Sequence, residues 1–193
     1  MKSSARAWWV AVGMVLSSAA WAGEDAADPA LDQARQAAGE LGRTLRARLM
    51  EAVQQGGLTG AVAVCQIEAP ALAAEQSRKH GAKVGRIGVR ARNVANAPDP
   101  WEAAALDQLR AQLAAGVASA QAEYTEVVAA PEGVRALRYA KAIVTEPLCL
   151  GCHGEALDPA LQVELDRRYP QDTAVGFKAG ELRGAFTVTL LLP

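Results

Sequence analysis

The stretch Cys149-Leu150-Gly151-Cys152-His153 constrains this chain more than any other. Two thiols three positions apart, followed at once by an imidazole, form C-x-x-C-H, the pattern of covalent c-type haem attachment. The thiols add across the vinyl groups as thioethers, and the adjacent imidazole is held under the ring as the proximal iron ligand. Two plainer readings compete, a zinc site and a redox dithiol. Structural zinc needs four protein ligands, and the soft candidates are only Cys65, Cys149, Cys152, His80 and His153, with no second C-x-x-C. Haem is therefore the reading that the motif favours.

Residues 1–22 read as a secretory signal: Lys2 and Arg6, an apolar stretch from Ala7 to Leu16, then Ala20-Trp21-Ala22 as the cleavage site. The expected mature chain is one domain, 23–193, in the periplasm, where bacteria attach c-type haem. No other window approaches 18 apolar residues, so no membrane insertion is expected after cleavage. Without Lys2 and Arg6 the chain has 18 basic against 21 acidic residues, a balance that argues against a nucleic-acid partner.

Asp28 and Pro29 open a helix as N-cap and first residue. Leu31, Ala34, Ala38, Leu41, Leu45, Leu49 and Val53 give it one apolar stripe, and Gly56-Gly57 stops it. A second helix is expected from Thr59 to His80, with Val62, Cys65, Ala69, Leu72 and Ala73 on one side. Pro70 either kinks this helix or starts a new one, which would let Cys65 point at a site. A lone cysteine is usually a small buried hydrophobe, but in an oxidising compartment the thiol left over after Cys149 and Cys152 are used is a candidate ligand.

From Lys83 to Arg92 the pattern alternates, Ile87, Val89 and Ala91 against Gly88, Arg90 and Arg92, which predicts a strand with a basic face. Asp99, Pro100 and Glu102 predict a capping box before a helix buried through Trp101, Leu106, Leu109 and Leu113. Strand-like segments follow at 123–128, 134–145 and 182–192, with a short helix from Pro159 to Arg168. Gly176, Gly180 and Gly184 fit either ordinary turns or a close approach to a flat ligand. The sum is α+β, an antiparallel sheet with helices packed to one side.

Several segments together carry a resemblance: Val64-Cys65, Lys83-Val84-Gly85-Arg86, the run Arg90 to Glu102 with its Arg-x-Arg-Asn-x-x-Asn-Ala-Pro-x-x-Trp-Glu pattern, Cys149 to His153, and Gly176 to Ala185. The chain resembles the Tll-type haem-c domain family over nearly all of its mature length. The 90–102 pattern is more specific than the haem motif, which many unrelated cytochromes share. Val94 departs from the proline of many members, a matter of loop stiffness rather than chemistry.

The resemblance implies a PAS-like antiparallel sheet with long N-terminal helices packed on it and a single covalent haem c. It implies His153 as proximal and Cys65 as distal iron ligand. The residues alone favour His80 for the distal place, as the only other imidazole; the resemblance reverses that choice and leaves His80 as a solvent-facing residue at its helix end. A thiolate ligand favours ferric iron and lowers the reduction potential. Arg90 and Arg92 suit the haem propionates.

The expected function is a redox or small-gas sensory module, in which reduction weakens the Cys65 bond and opens a position for a small gas. The alternative is a low-potential electron-transfer cytochrome that keeps both ligands. No catalytic residue is expected, since enzymatic chemistry would require a general acid or base at an open distal site. The chain has no recognisable output module, so a sensor would act through a separate redox or signalling partner.

Overall fold

The computed structural model describes residues 27–193, and the expected signal segment lies outside them. Helix α1 runs from Ala27–Ala63, but Gly57 inside it has φ 65 and ψ −170, a left-handed conformation that glycine adopts without strain. The chain folds back there. Residues on either side pair as an antiparallel hairpin with α2 (Ala69–His80): Arg48 with Glu68 at 2.9 Å, Glu40 with Lys79 at 2.7 Å, and Gln33 donating to the His80 carbonyl at 2.7 Å. The expected stop is therefore a reversal, and the two helices around it are as read.

The run Asp28–His80 does contain an 18-residue window of mean hydropathy 1.3, long and apolar enough by composition to cross a membrane. In the structure this run is the hairpin, ion-paired along its length and laid on a sheet.

Between the helices, Val64–Glu68 forms a π-turn, with the Ala69 N–H donating to the Val64 carbonyl. Pro70 explains it: the ring has no N–H to give and would clash with the carbonyl four residues back, so the backbone widens by one residue. The extra residue rotates the helix beyond it. Val62 packs against helix α5 (Pro159–Arg168), whereas Ala69, Leu72 and Ala73 pack towards the sheet. The single face expected for this helix is thus two faces, with Cys65 at the changeover.

Four antiparallel strands, β1 (Lys83–Gly88), β2 (Glu123–Ala129), β3 (Arg135–Val144) and β4 (Leu182–Leu192), are ordered β1-β4-β3-β2. One face carries Val84, Leu137, Tyr139, Val188 and Leu190 and receives the alanine-rich stripe Ala30, Ala34, Ala37, Ala38 and Leu41. The small side chains let helix and sheet approach closely. The other face carries Ile87, Ala140 and Ala185 and is covered by Ala105, Leu106 and Leu109 of α3 (Pro100–Ala114). Helices therefore cover both faces, not one, because β1, β3 and β4 are apolar at both residue parities. The capping box of α3 is formed in both halves, Asp99 accepting from the Glu102 N–H at 2.8 Å and Glu102 from the Asp99 N–H at 3.0 Å.

Strand β1 ends at Gly88, four residues sooner than the alternation predicts. Gly88 faces Gly184 across the sheet, and a Cβ on Gly88 would lie 2.8 Å from the Arg90 carbonyl oxygen. The chain bends there, so Arg90 and Arg92 stand on a loop and not on a strand face. Gly176 and Gly180, with φ of 73 and 84, serve turns. Gly184 serves close approach, but to the backbone of Ile87.

Candidate functional site

The haem-type motif opens with a 3₁₀ turn, Pro147–Cys149, and continues as a single helical turn, α4 (Leu150–His153). This geometry brings Cys149, Cys152 and His153 to one short segment. The middle glycine lies close to the hairpin: a Cβ on Gly151 would come within 2.9 Å of the end of the Leu58 side chain, which would have to shift. None of the three cysteines is in a disulfide, and all are half-buried. Among the described residues no group of three or more His, Cys, Asp or Glu side chains is arranged to hold a metal ion by itself.

Beside α4 lies a narrow cleft that opens to solvent. Cys65, Arg90, Arg92 and His153 all line it, although they come from the π-turn, the loop after β1 and α4. Its other walls include Arg86, Tyr169, Phe177 and Arg183. His80 is elsewhere. It ends α2, fifteen residues from Cys65 or roughly 20 Å of helix. Its side chain is 7% exposed and its Nε2 lies 2.9 Å from Glu40, so it is a buried partner of the hairpin and not the solvent-facing residue expected.

His153 Nδ1 lies 2.7 Å from the Ala174 carbonyl oxygen. A carbonyl only accepts, so Nδ1 carries the proton and Nε2 keeps its lone pair. Burial, reinforced by the Arg92 and Arg183 charges, pushes His153 from 6.5 down to about 3, which keeps the ring in the neutral form a metal requires. Burial likewise raises the Cys152 thiol, against the pull of Arg92. Phe177, 2% exposed, meets the imidazole edge-on with ring centroids 6.3 Å apart. Tyr169 is buried against α5, and burial together with the neighbouring Cys65 raises its hydroxyl to about 12.

Four guanidinium groups reach the cleft, and they are not equivalent. Arg92 is committed to protein: Nε donates to Asp172 at 2.7 Å and Nη2 to the Cys152 carbonyl at 2.6 Å. Arg90 lies over the Phe177 ring at 3.8 Å and reaches Glu181 only at 3.5 Å, leaving Nε and Nη2 buried without a hydrogen-bond partner. Arg183 Nε is also buried and unpartnered. Among the described residues, Arg86 and Arg183 face no carboxylate in an ion pair. The cleft is thus short of negative charge, and the two propionates of a haem would supply it.

Sequence reasoning singled out neither Arg86 nor Arg183 as a site residue, although both lie in the segments that carry the family resemblance. The antiparallel pairing of β1 with β4 brings them together across about a hundred residues. Asp172 and Ala174 left no signal beyond an irregular loop.

A family model described as Tll0287-like matches residues 23–190. Among solved structures, the chain is similar to the crystal structure of the cyanobacterial heme-protein Tll0287, at 26% identity and a TM-score of 0.53, over 64% of this chain and 69% of that one. No curated protein matches the chain.

Proposed function

The chain belongs to the Tll0287-like family, and on that footing we propose that it is a periplasmic c-type haem protein with His153 and Cys65 as axial ligands, acting as a redox or small-gas sensory module. The observation that carries the reading is the shared cleft: a cysteine and a neutral histidine 88 positions apart line one slot beside a C-x-x-C pair.

When bound, haem would supply a one-electron iron couple and, once the Cys65 sulfur is released, a place for a diatomic gas. Cys149 and Cys152 would anchor it as thioethers, each S–H adding across a vinyl double bond. His153 would offer Nε2, the nitrogen that the Ala174 hydrogen bond leaves unprotonated. Arg90 and Arg183 would meet the propionates with buried donors that have no hydrogen-bond partner, and Arg86 on the same wall would add charge. Arg92 adds positive charge, but its hydrogen bonds go to Asp172 and the motif backbone.

Cys65 stands on the π-turn, tied on one side to α1 through Arg48 and Glu68 and on the other to α5 through Arg168 Nη1 and Gln66 at 2.7 Å. A change in what the Cys65 sulfur holds would bear on the junction of the hairpin with α5. That coupling favours a sensor over a simple carrier. No catalytic residue is assigned.

The test is the exported protein on a haem-stained denaturing gel, followed by absorption spectra, oxidised and dithionite-reduced, with and without carbon monoxide. Haem that stays with the denatured band and binds carbon monoxide only after reduction supports the proposal. A six-coordinate, unreactive spectrum in both states makes the protein an electron carrier, and no haem overturns the reading altogether.

A further inference from the structure

Arg92 and Asp172 form an ion pair with side chains only 10% and 8% exposed. Burying two charges is costly unless the remaining donors and acceptors are well used. Here each is used. Asp172 Oδ2 accepts from Arg92 Nε at 2.7 Å, and Oδ1 accepts from the Ala174 N–H at 2.7 Å. Arg92 Nη2 donates to the Cys152 carbonyl at 2.6 Å and approaches the Ala174 carbonyl at 3.4 Å. That same Ala174 carbonyl accepts from His153 Nδ1.

These contacts close a ring that starts at Cys152, passes through Arg92, Asp172, Ala174 and His153, and returns through the peptide bond between His153 and Cys152. The loop is docked on both sides besides, Thr173 Oγ1 donating to the Ala91 carbonyl at 3.0 Å and the Phe177 N–H to the His153 carbonyl at 2.9 Å.

We propose that Arg92 and Asp172 are a positioning pair for the His153 imidazole: they hold the Ala174 carbonyl in place and lock it to the backbone of the second attachment cysteine. The inference rests on the proposed haem function. Its consequence is electronic as well as steric. A firmly held acceptor on Nδ1–H makes an imidazole a stronger donor through Nε2, which favours ferric iron. Loosening that acceptor should raise the reduction potential and change the orientation of the ring.

The experiment compares holoprotein of wild type with Asp172→Asn, Asp172→Ala, Arg92→Gln and Arg92→Lys, by haem-stained gel, low-temperature ferric EPR and potentiometric titration. All variants are expected to keep covalent haem. Asp172→Ala and Arg92→Gln are expected to shift the ferric g-values, with Asp172→Asn and Arg92→Lys between them and wild type, and the charge-conserving Arg92→Lys is expected to raise the potential. Lower melting temperatures with unchanged g-values and potential would make the pair merely structural and overturn the inference. A wild-type protein that carries no haem would instead overturn the reading on which it rests.

Discussion

Replacing Gly184 by alanine tests how the cleft is built. Gly184 pairs with Gly88, and an added Cβ would sit inside the van der Waals shell of the Ile87 carbonyl oxygen, far closer than the 3.0 Å that real Cβ atoms respect. Both partners are backbone in paired strands, so no rotamer change can relieve the clash. The strands must part by roughly 1 Å, an overpacking cost of about 1–3 kcal/mol. The adjoining hydrogen bond from the Val89 N–H to the Arg183 carbonyl, 3.0 Å long, is strained with them, for about 1 kcal/mol more.

The total, about 2–4 kcal/mol, corresponds to a melting-point fall of roughly 4–16 °C for a domain of this size. Gly85→Ala is the control in the same strand pair: its Cβ would meet nothing closer than Thr187 Oγ1 at 3.8 Å, and its effect should stay within about 1 kcal/mol. Thermal unfolding by circular dichroism reads both. Equal stability of the two variants would refute the argument that β1 and β4 touch backbone to backbone at the cleft end.

Three further outcomes are expected. Leu165, fully buried between Val62 and Tyr169, should cost about 2–5 kcal/mol when cut to alanine, read as a shift in denaturant midpoint. Asp99→Ala removes the capping box of α3 and its 2.6 Å contact with Arg138, and should cost about 1–2 kcal/mol by the same measurement. Glu40 is held at about 2, down from 4.5, by hydrogen bonds from Lys79 and His80. A carboxylate depressed on folding stabilises above its unfolded value and loses that contribution as pH falls through the folded one, so wild type should lose its advantage over Glu40→Gln between about pH 4.5 and 2. A constant difference across that window would show that the contact contributes nothing.

The features legible in the sequence were local. The Asp99 cap and the break at Gly57 each depend on residues within a few positions, and the structure has both, although the break is a reversal and not a plain stop. Cys65 stands out as the thiol left over after Cys149 and Cys152 and through the family resemblance, and Pro70, five residues on, marks a disturbance of its helix. That the disturbance turns the helix from α5 to the sheet, with Val62 on one and Ala69 on the other, depends on distant segments. The end of β1 was misjudged for a similar reason. Its alternation runs on to Arg92, but the chain bends at Gly88, opposite Gly184 on a strand nearly a hundred residues later, where the two backbones come close. Arg183 and Asp172 belong to the same class. A guanidinium without a partner, or a carboxylate that braces a carbonyl, becomes visible only when distant segments are brought together. His80 went astray because its helix-end position is legible while Glu40, forty residues back, is not.

The most direct measurement of the central claim is the ferric absorption spectrum of Cys65→Ser beside wild type, both first shown to hold haem on a denaturing gel. Axial ligation by Cys65 predicts low-spin thiolate features in wild type that give way in the variant to a changed spin state and a displaced Soret band, with covalent haem retained. Identical spectra would contradict it and return Cys65 to the role of a small residue filling the wall of the cleft.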